Sequence, residues 1–210
     1  MILQLSMKTP FNKEKIESTL TMLAKLLERR SSAPYRLIVC GGSALLVAGV
    51  QRETTKDVDI LASLGFDNAI EELPELPEDL HKAVKDVARE LDVDDHWLNT
   101  GPSSIINTHL PNFGLPEGFI ERLTRKEYGP KLTIYYIGRL DQIFFKLYAT
   151  VDKCTLTYHL TDLQALKPTE SELTAAAEWS MQQDPSIGYK QTLIEMLEKT
   201  GYEQIAVKLK

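Results

Sequence analysis

The chain has 210 residues, 43% of them hydrophobic, enough to bury a core without disulfide or metal staples. Its formal net charge of −6 argues against a broad electrostatic footprint for DNA or RNA, though not against a local one, and no apolar run approaches the ~20 residues of a membrane-spanning helix. The opening MILQLSMKTPFNKEK shows no apolar segment followed by a small-residue cleavage site, and Cys40 and Cys154 lie far apart, so a cytoplasmic protein without a disulfide is expected.

In chain order, FNKEKIESTLTMLAKLLERR places Phe11, Ile16, Leu20, Leu23, Leu26 and Leu27 on one stripe and predicts an amphipathic helix that SSAP ends. YRLIVC, apolar and followed by two glycines, predicts a buried strand; SALLVAG predicts a short helix closed by Gly49, and KDVDILAS a second strand. FDNAIEELPELPED, broken twice by Leu-Pro, reads as a loop, and DLHKAVKDVARELD as a helix capped at Asp79 or nearby. A third strand is expected around VDDHWLN and a fourth at KLTIYYIG, where Leu132, Ile134 and Tyr136 face one way. The basic stretches ERLTRKEYGPK and VKLK read as solvated faces.

From RLDQIFFKLYATVDK onward the chain reads as helices: that amphipathic segment, YHLTDLQAL ended by Pro168, TESELTAAAEWSMQQ, SIGYKQTLIEMLEKTG and YEQIAVKLK. The third of these opens on a Thr169-x-x-Glu172 capping box. Strands first and helices last give an α/β (α+β) fold. A small mixed sheet flanked by helices is expected over residues 1–138, and a helical lobe over residues 139–210.

The chemistry concentrates in GGSALLVAGVQRETTKDVDI, which begins at Gly41. Successive side chains of a strand alternate faces, so Asp57 and Asp59 point one way while Val58 and Ile60 point into the opposite layer. Neighbouring carboxylates repel unless a divalent cation neutralises them. Mg²⁺ (or Mn²⁺), which takes one or two carboxylates, waters and substrate phosphate oxygens, suits such a pair. Gly41 and Gly42 let backbone N–H groups approach an anion, and Ser43 is placed at the cap of a helix whose dipole favours phosphate. Phosphate on one element and metal on the next describe a triphosphate site, hence nucleotidyl or phosphoryl transfer.

A dinucleotide-binding βαβ unit does not fit, because the glycines are adjacent and the helix before the acidic strand is too short for that crossover. No G-K-[ST] occurs, which excludes a Walker A loop. His81, His96, His109 and His159 show no metal-ligand spacing. Phe144, Phe145, Tyr148 and Trp179 are read as core, Trp97 as packing and Asn99 as a turn bond.

Gly41, Gly42, Ala44, Leu45, Gly49, Arg52, Thr54 or Thr55, Asp57 and Asp59 together resemble the motif of the minimal nucleotidyltransferase fold. The match is to bacterial nucleotidyltransferase-like proteins related to AbiE-type and MenT-type toxins, and it continues through WLN, FKLYA and HLTDLQAL. The resemblance implies that Asp57 and Asp59 are catalytic and hold the metal, and that Gly41, Gly42 and Ser43 contact phosphate. It also implies that Lys146 meets the nucleotide phosphate, that Asp162 completes the pocket floor and that Arg52 pairs with an aspartate. The charge such proteins carry near the last helix is reduced here to Asp152, Lys153 and His159, and a third carboxylate is represented by Asp94 and Asp95 alone.

By the same likeness an NTP enters a cleft between sheet and helical lobe, and an acceptor hydroxyl takes NMP and expels pyrophosphate. The acceptor would be a tRNA or other RNA end, or a protein side chain, and an antitoxin would be the partner. The alternative is a module of the same fold that binds a nucleotide or a protein without turnover.

Overall fold

A computed structural model describes residues 10–50, 53–152 and 158–210, arranged in two compact units. The first unit takes the described residues up to Ile106 together with Leu123–Tyr136; the second takes Asn107–Arg122 and Ile137–Lys210. Sequence alone sets one boundary at 138/139, whereas the chain passes between the units three times. Arg52, Lys153 and Cys154 lie outside the described residues.

The first unit opens on α1 (Lys13–Arg29), whose N-cap Asn12 accepts the Lys15 N–H at 2.8 Å. Phe11, Ile16, Leu20, Leu23 and Leu27 of the expected stripe are buried, and Leu26 packs partly against them. β1 (Tyr35–Cys40), α2 (Gly41–Val47) and β2 (Val58–Leu64) follow as expected. β3 (Ile70–Glu71) interrupts the expected loop, and α3 (Glu78–Leu91) has its N-cap position at Pro77, near Asp79 as expected, with no side-chain capping bond. The Asp79 carboxylate instead accepts the Tyr35 hydroxyl. β4 (Leu98–Asn99) is only two residues long.

β5 (Thr124–Gly129) and β6 (Leu132–Tyr136) complete the sheet. β5 is an addition to the sequence reading. Its residues TRKEYG are mostly exposed because it is an edge strand, where charge discourages further pairing.

The strand order is β3-β2-β1-β6-β5, with β4 joined to β2 off this path. β1 runs parallel to β6, and β2 parallel to β4, while the remaining pairs are antiparallel. Because β2 returns antiparallel to β1, the β1-α2-β2 segment is not the parallel crossover of a dinucleotide-binding unit. Between Ile38 and Val39 the partners step from Ala62 to Ile60, so Leu61 is the extra residue of a bulge that increases local twist.

One face of the sheet presents Leu37, Val39, Val58, Ile60, Ile134 and Tyr136 to a core shared with Leu20 and Leu23 of α1 and Leu80, Val84 and Val87 of α3. Fully burying a side chain of this size contributes roughly 1.5–3 kcal/mol. Trp97 is buried with them, its indole N–H donating to the Val84 carbonyl at 3.1 Å. The opposite face is apolar too at the middle of the sheet, where Ile38 and Ala62 are buried.

The second unit holds α4 (Arg139–Asp152), α5 (Tyr158–Ala165), α6 (Glu170–Gln183), α7 (Ile187–Lys199) and α8 (Glu203–Leu209). No described helix is long and apolar enough to cross a membrane. Trp179 is the hub of the aromatic set: Phe144 and Phe145 lie 5.6 Å from it, ring centre to ring centre, and Tyr148 6.0 Å. Its indole N–H and the Gln183 amide each donate to the Gly114 carbonyl at 2.8 Å, tying segment 107–122 to α6. At the end of that segment Arg122 grips the fully buried Asp141 with two bonds, of 3.0 and 2.6 Å. Burial pushes the Asp141 carboxyl above its ordinary range, and the guanidinium pulls it back.

α6 begins with the expected capping box. Thr169 Oγ1 accepts the Glu172 N–H at 3.2 Å, and the Glu172 carboxylate accepts the Thr169 N–H at 2.8 Å. Thr169→Ala is expected to lower unfolding free energy by about 1 kcal/mol. Urea denaturation should show an earlier midpoint with an unchanged slope.

Candidate active site

The site is built where β1 gives way to α2. Cys40, in extended conformation, is the N-cap and makes no side-chain capping bond. Gly41 follows with φ +70°, in the left-handed region that glycine enters without penalty. Cys40 is the cross-strand partner of Asp59, which brings the Asp59 side chain against this bend. A Cβ added to Gly41 would sit 2.4 Å from Asp59 Oδ2, so the carboxylate occupies the space that any other residue at 41 would fill.

Gly42 is buried in the first turn of α2. Ser43, expected at the helix cap, is instead the third helical residue, because the helix starts at Gly41. Its hydroxyl donates to the Cys40 carbonyl at 3.2 Å, and the residue has no exposed surface. A serine there closes the first turn onto its own backbone.

The alternation expected of the acidic pair holds: Val58 and Ile60 are in the core, while Asp57, just before β2, and Asp59 within it are half-buried. Pairing of β2 with β4 sets Asn99 beside Asp59, and the Asn99 amide donates to Asp59 Oδ1 at 3.2 Å. Asn99 Oδ1 also accepts the Gly101 N–H at 2.9 Å. The turn bond read from sequence is thus present, but the other end of the same amide orients an acid forty positions earlier, which sequence reasoning missed. No local signal announces it, since it depends on a two-residue strand finding its register. Asp94 and Asp95 are exposed, and Asp94 accepts the His96 N–H at 2.8 Å as a turn-forming side chain.

Gly41, Gly42, Ser43, Asp57 and Asp59 all belong to the first unit, and Lys146 and Asp162 to the second. Lys146 on α4 and Asp162 on α5 meet in an ion pair of 2.9 Å, with side chains only 6% and 7% exposed. Charges this deep persist because each offsets the other's desolvation. The Lys146 ammonium also lies 6.0 Å from the Tyr158 ring centre.

A small mixed sheet carrying an acidic pair beside a glycine-bearing bend belongs to the nucleotidyltransferase class of α+β folds. The family described as nucleotidyltransferase of unknown function (DUF6036) matches residues 18–203, and the chain belongs to that family. No curated protein and no solved structure matches the chain.

Proposed function

We propose that this protein is a metal-dependent nucleotidyltransferase that moves NMP from an NTP to a hydroxyl acceptor, an RNA end or a protein side chain. The observation that carries the reading is the Asp59 carboxylate, held by Asn99 and seated against the bare α-carbon of Gly41, with Asp57 two residues away.

A divalent cation fits this donor set. Carboxylate oxygens are hard ligands of the kind that Mg²⁺ and Mn²⁺ take one or two at a time, keeping their other positions for water and phosphate oxygens. Asp57 and Asp59 would hold the ion, which when bound would neutralise charge on the phosphates. The bare α-carbon of Gly41 makes room for the Asp59 carboxylate, and Asn99 fixes that carboxylate's orientation. The residues that carry this chemistry all belong to the first unit, while Lys146 and Asp162 of the second unit pair with each other. The likeness to AbiE-type and MenT-type proteins extends it to a toxin-like role with an antitoxin partner.

The test is incubation of purified protein with α-labelled NTPs, Mg²⁺ and total cellular RNA or protein. Label should enter one of the two pools, and both EDTA and Asp57→Ala should prevent it. Thermal stabilisation by nucleotide without label in either pool would instead favour a binding module.

A further inference from the structure

Two adjoining surface grooves of the first unit are unlike the rest of this acidic chain. The first, of about 520 Å³, lies between the end of α1 and one side of α3 and is lined by the cations Arg30, Lys82, Lys85 and Arg89, with Asp79 and Asp86 among them. Asp86 pairs with both Arg30 and Arg89, and Lys82 pairs with Glu78 at 2.5 Å. Lys85 is exposed and has no ion-pair partner among the described residues.

The second groove, of about 1040 Å³, lies over the sheet face opposite the α1/α3 core. Leu37 and Ile134 point into that core, so Arg36, Thr133 and Tyr135, which alternate with them, point outward, and register sets Arg125 beside Tyr135. The Arg36 guanidinium lies 5.4 Å from the Phe66 ring centre and 5.2 Å from that of Tyr135. It donates to the Tyr135 hydroxyl at 2.7 Å, to Asn68 Oδ1 at 3.0 Å and to the Gly65 carbonyl. Among the described residues no carboxylate neutralises it. These bonds brace the β2–β3 turn, and the turn holds Phe66 with 80% of its surface in water.

The grooves meet along segment 32–36: Ser32 lines one, Pro34 the other, and the Tyr35 hydroxyl bonds Asp79 between them. Together they carry six cations, Arg30, Lys82, Lys85, Arg89, Arg36 and Arg125, against four carboxylates, Asp79, Asp86 and Glu127 of the lining and Glu78 paired with Lys82. That is a local excess of two positive charges on a protein whose net charge is −6. A cationic groove that follows a phosphate backbone, beside rigidly held aromatic and guanidinium planes on which bases stack, is the recognition chemistry of an unpaired polynucleotide.

We propose that this strip binds a short single-stranded nucleic acid, with phosphates on Lys82, Lys85 and Arg89 and a base stacked on Phe66. The binding does not depend on transfer chemistry. The strip lies at the Tyr35 end of β1, and Asp59 pairs with the Cys40 end, roughly 17 Å away along the strand.

The test is fluorescence anisotropy with labelled mixed-sequence 12-mers of RNA, of DNA and of the RNA duplex, in EDTA without nucleotide, so that failure of transfer and failure of binding are read separately. The full chain should bind single strands saturably, and more weakly as salt rises. Lys85→Glu/Arg89→Glu should weaken binding at least tenfold and flatten the salt dependence. Phe66→Ala should weaken it five- to fiftyfold and leave the salt slope unchanged. Preference for RNA over DNA or the reverse identifies the source of the strand. The proposal is overturned by absence of saturable binding at 0.1 M salt, by a duplex that binds as well as single strands, or by wild-type affinity in both variants with unchanged circular dichroism.

Discussion

Asp59→Asn and Gly41→Ala are expected to lose nucleotidyl transfer together, although only the first removes a charge. Asn at 59 takes away the anionic oxygen that would meet the metal, and even outer-shell changes at metal sites typically cost 10–100-fold, so a loss beyond about 100-fold is expected. Alanine at 41 acts through position. Its Cβ would overlap Asp59 Oδ2 at 2.4 Å, and Oδ1 is tethered to Asn99 at 3.2 Å, so the carboxylate cannot turn aside without breaking that bond. Misplacement of a reacting group by about 1 Å costs on the order of 100-fold. The left-handed backbone at Gly41 adds roughly 1–2 kcal/mol of strain. In a chain of this length that lowers Tm by about 2–8 °C. Label incorporation measured well below that Tm separates the two effects. Wild-type transfer by Gly41→Ala would show that Asp59 does not act from the position described.

Arg122→Met should produce the largest loss of stability. Asp141 has no exposed surface and takes two bonds from Arg122, so removing the guanidinium leaves a buried carboxylate uncompensated, at a cost of about 3–5 kcal/mol. The pH dependence has a definite sign. Burial raises the Asp141 carboxyl above its unfolded value, and loss of Arg122 raises it further. A carboxyl so shifted favours folding fully below its unfolded pKa, near 4, and the contribution is lost as pH rises through the folded value. The gap between Arg122→Met and wild type should therefore be wider at pH 7 than at pH 4 in urea titrations. Arg122→Met/Asp141→Leu should recover most of the loss at pH 7, because the cost lies in the orphaned charge. A pH-independent gap would contradict this account.

Much of the fold is legible in the residues themselves. The α1 stripe, the alternation of β6 and the Thr169 box each state their structure locally, because periodicity and capping are short-range. β5 is hidden because an edge strand is selected for charge rather than for apolar alternation. β3 and β4, two residues each, carry no period at all. The same division runs through the site. Gly41 and Asp59 are close in sequence and chemically distinctive, so their approach is readable. Asn99 reaches Asp59 only through sheet pairing, and Lys146 and Asp162 reveal themselves as mutual partners only once α4 and α5 are packed. Ser43 was displaced from the cap by a backbone detail, the extended Cys40, that composition does not encode.

The threefold passage of the chain between its units bears on how the protein is made. β1 must wait for β6, nearly a hundred residues downstream, before its parallel neighbour exists. At ribosomal rates of roughly 5–20 residues per second that is a delay of about 5–20 s. During it the nascent Ile38–Cys40 stretch, apolar on both faces, has an open hydrogen-bonding edge. Segment 107–122 likewise emerges well before Trp179, whose indole secures it. The first unit has all its residues once Tyr136 is made, whereas the second needs the remainder of the chain, so a chain released at residue 138 would hold every strand of the sheet and leave segment 107–122 without the helices that secure it.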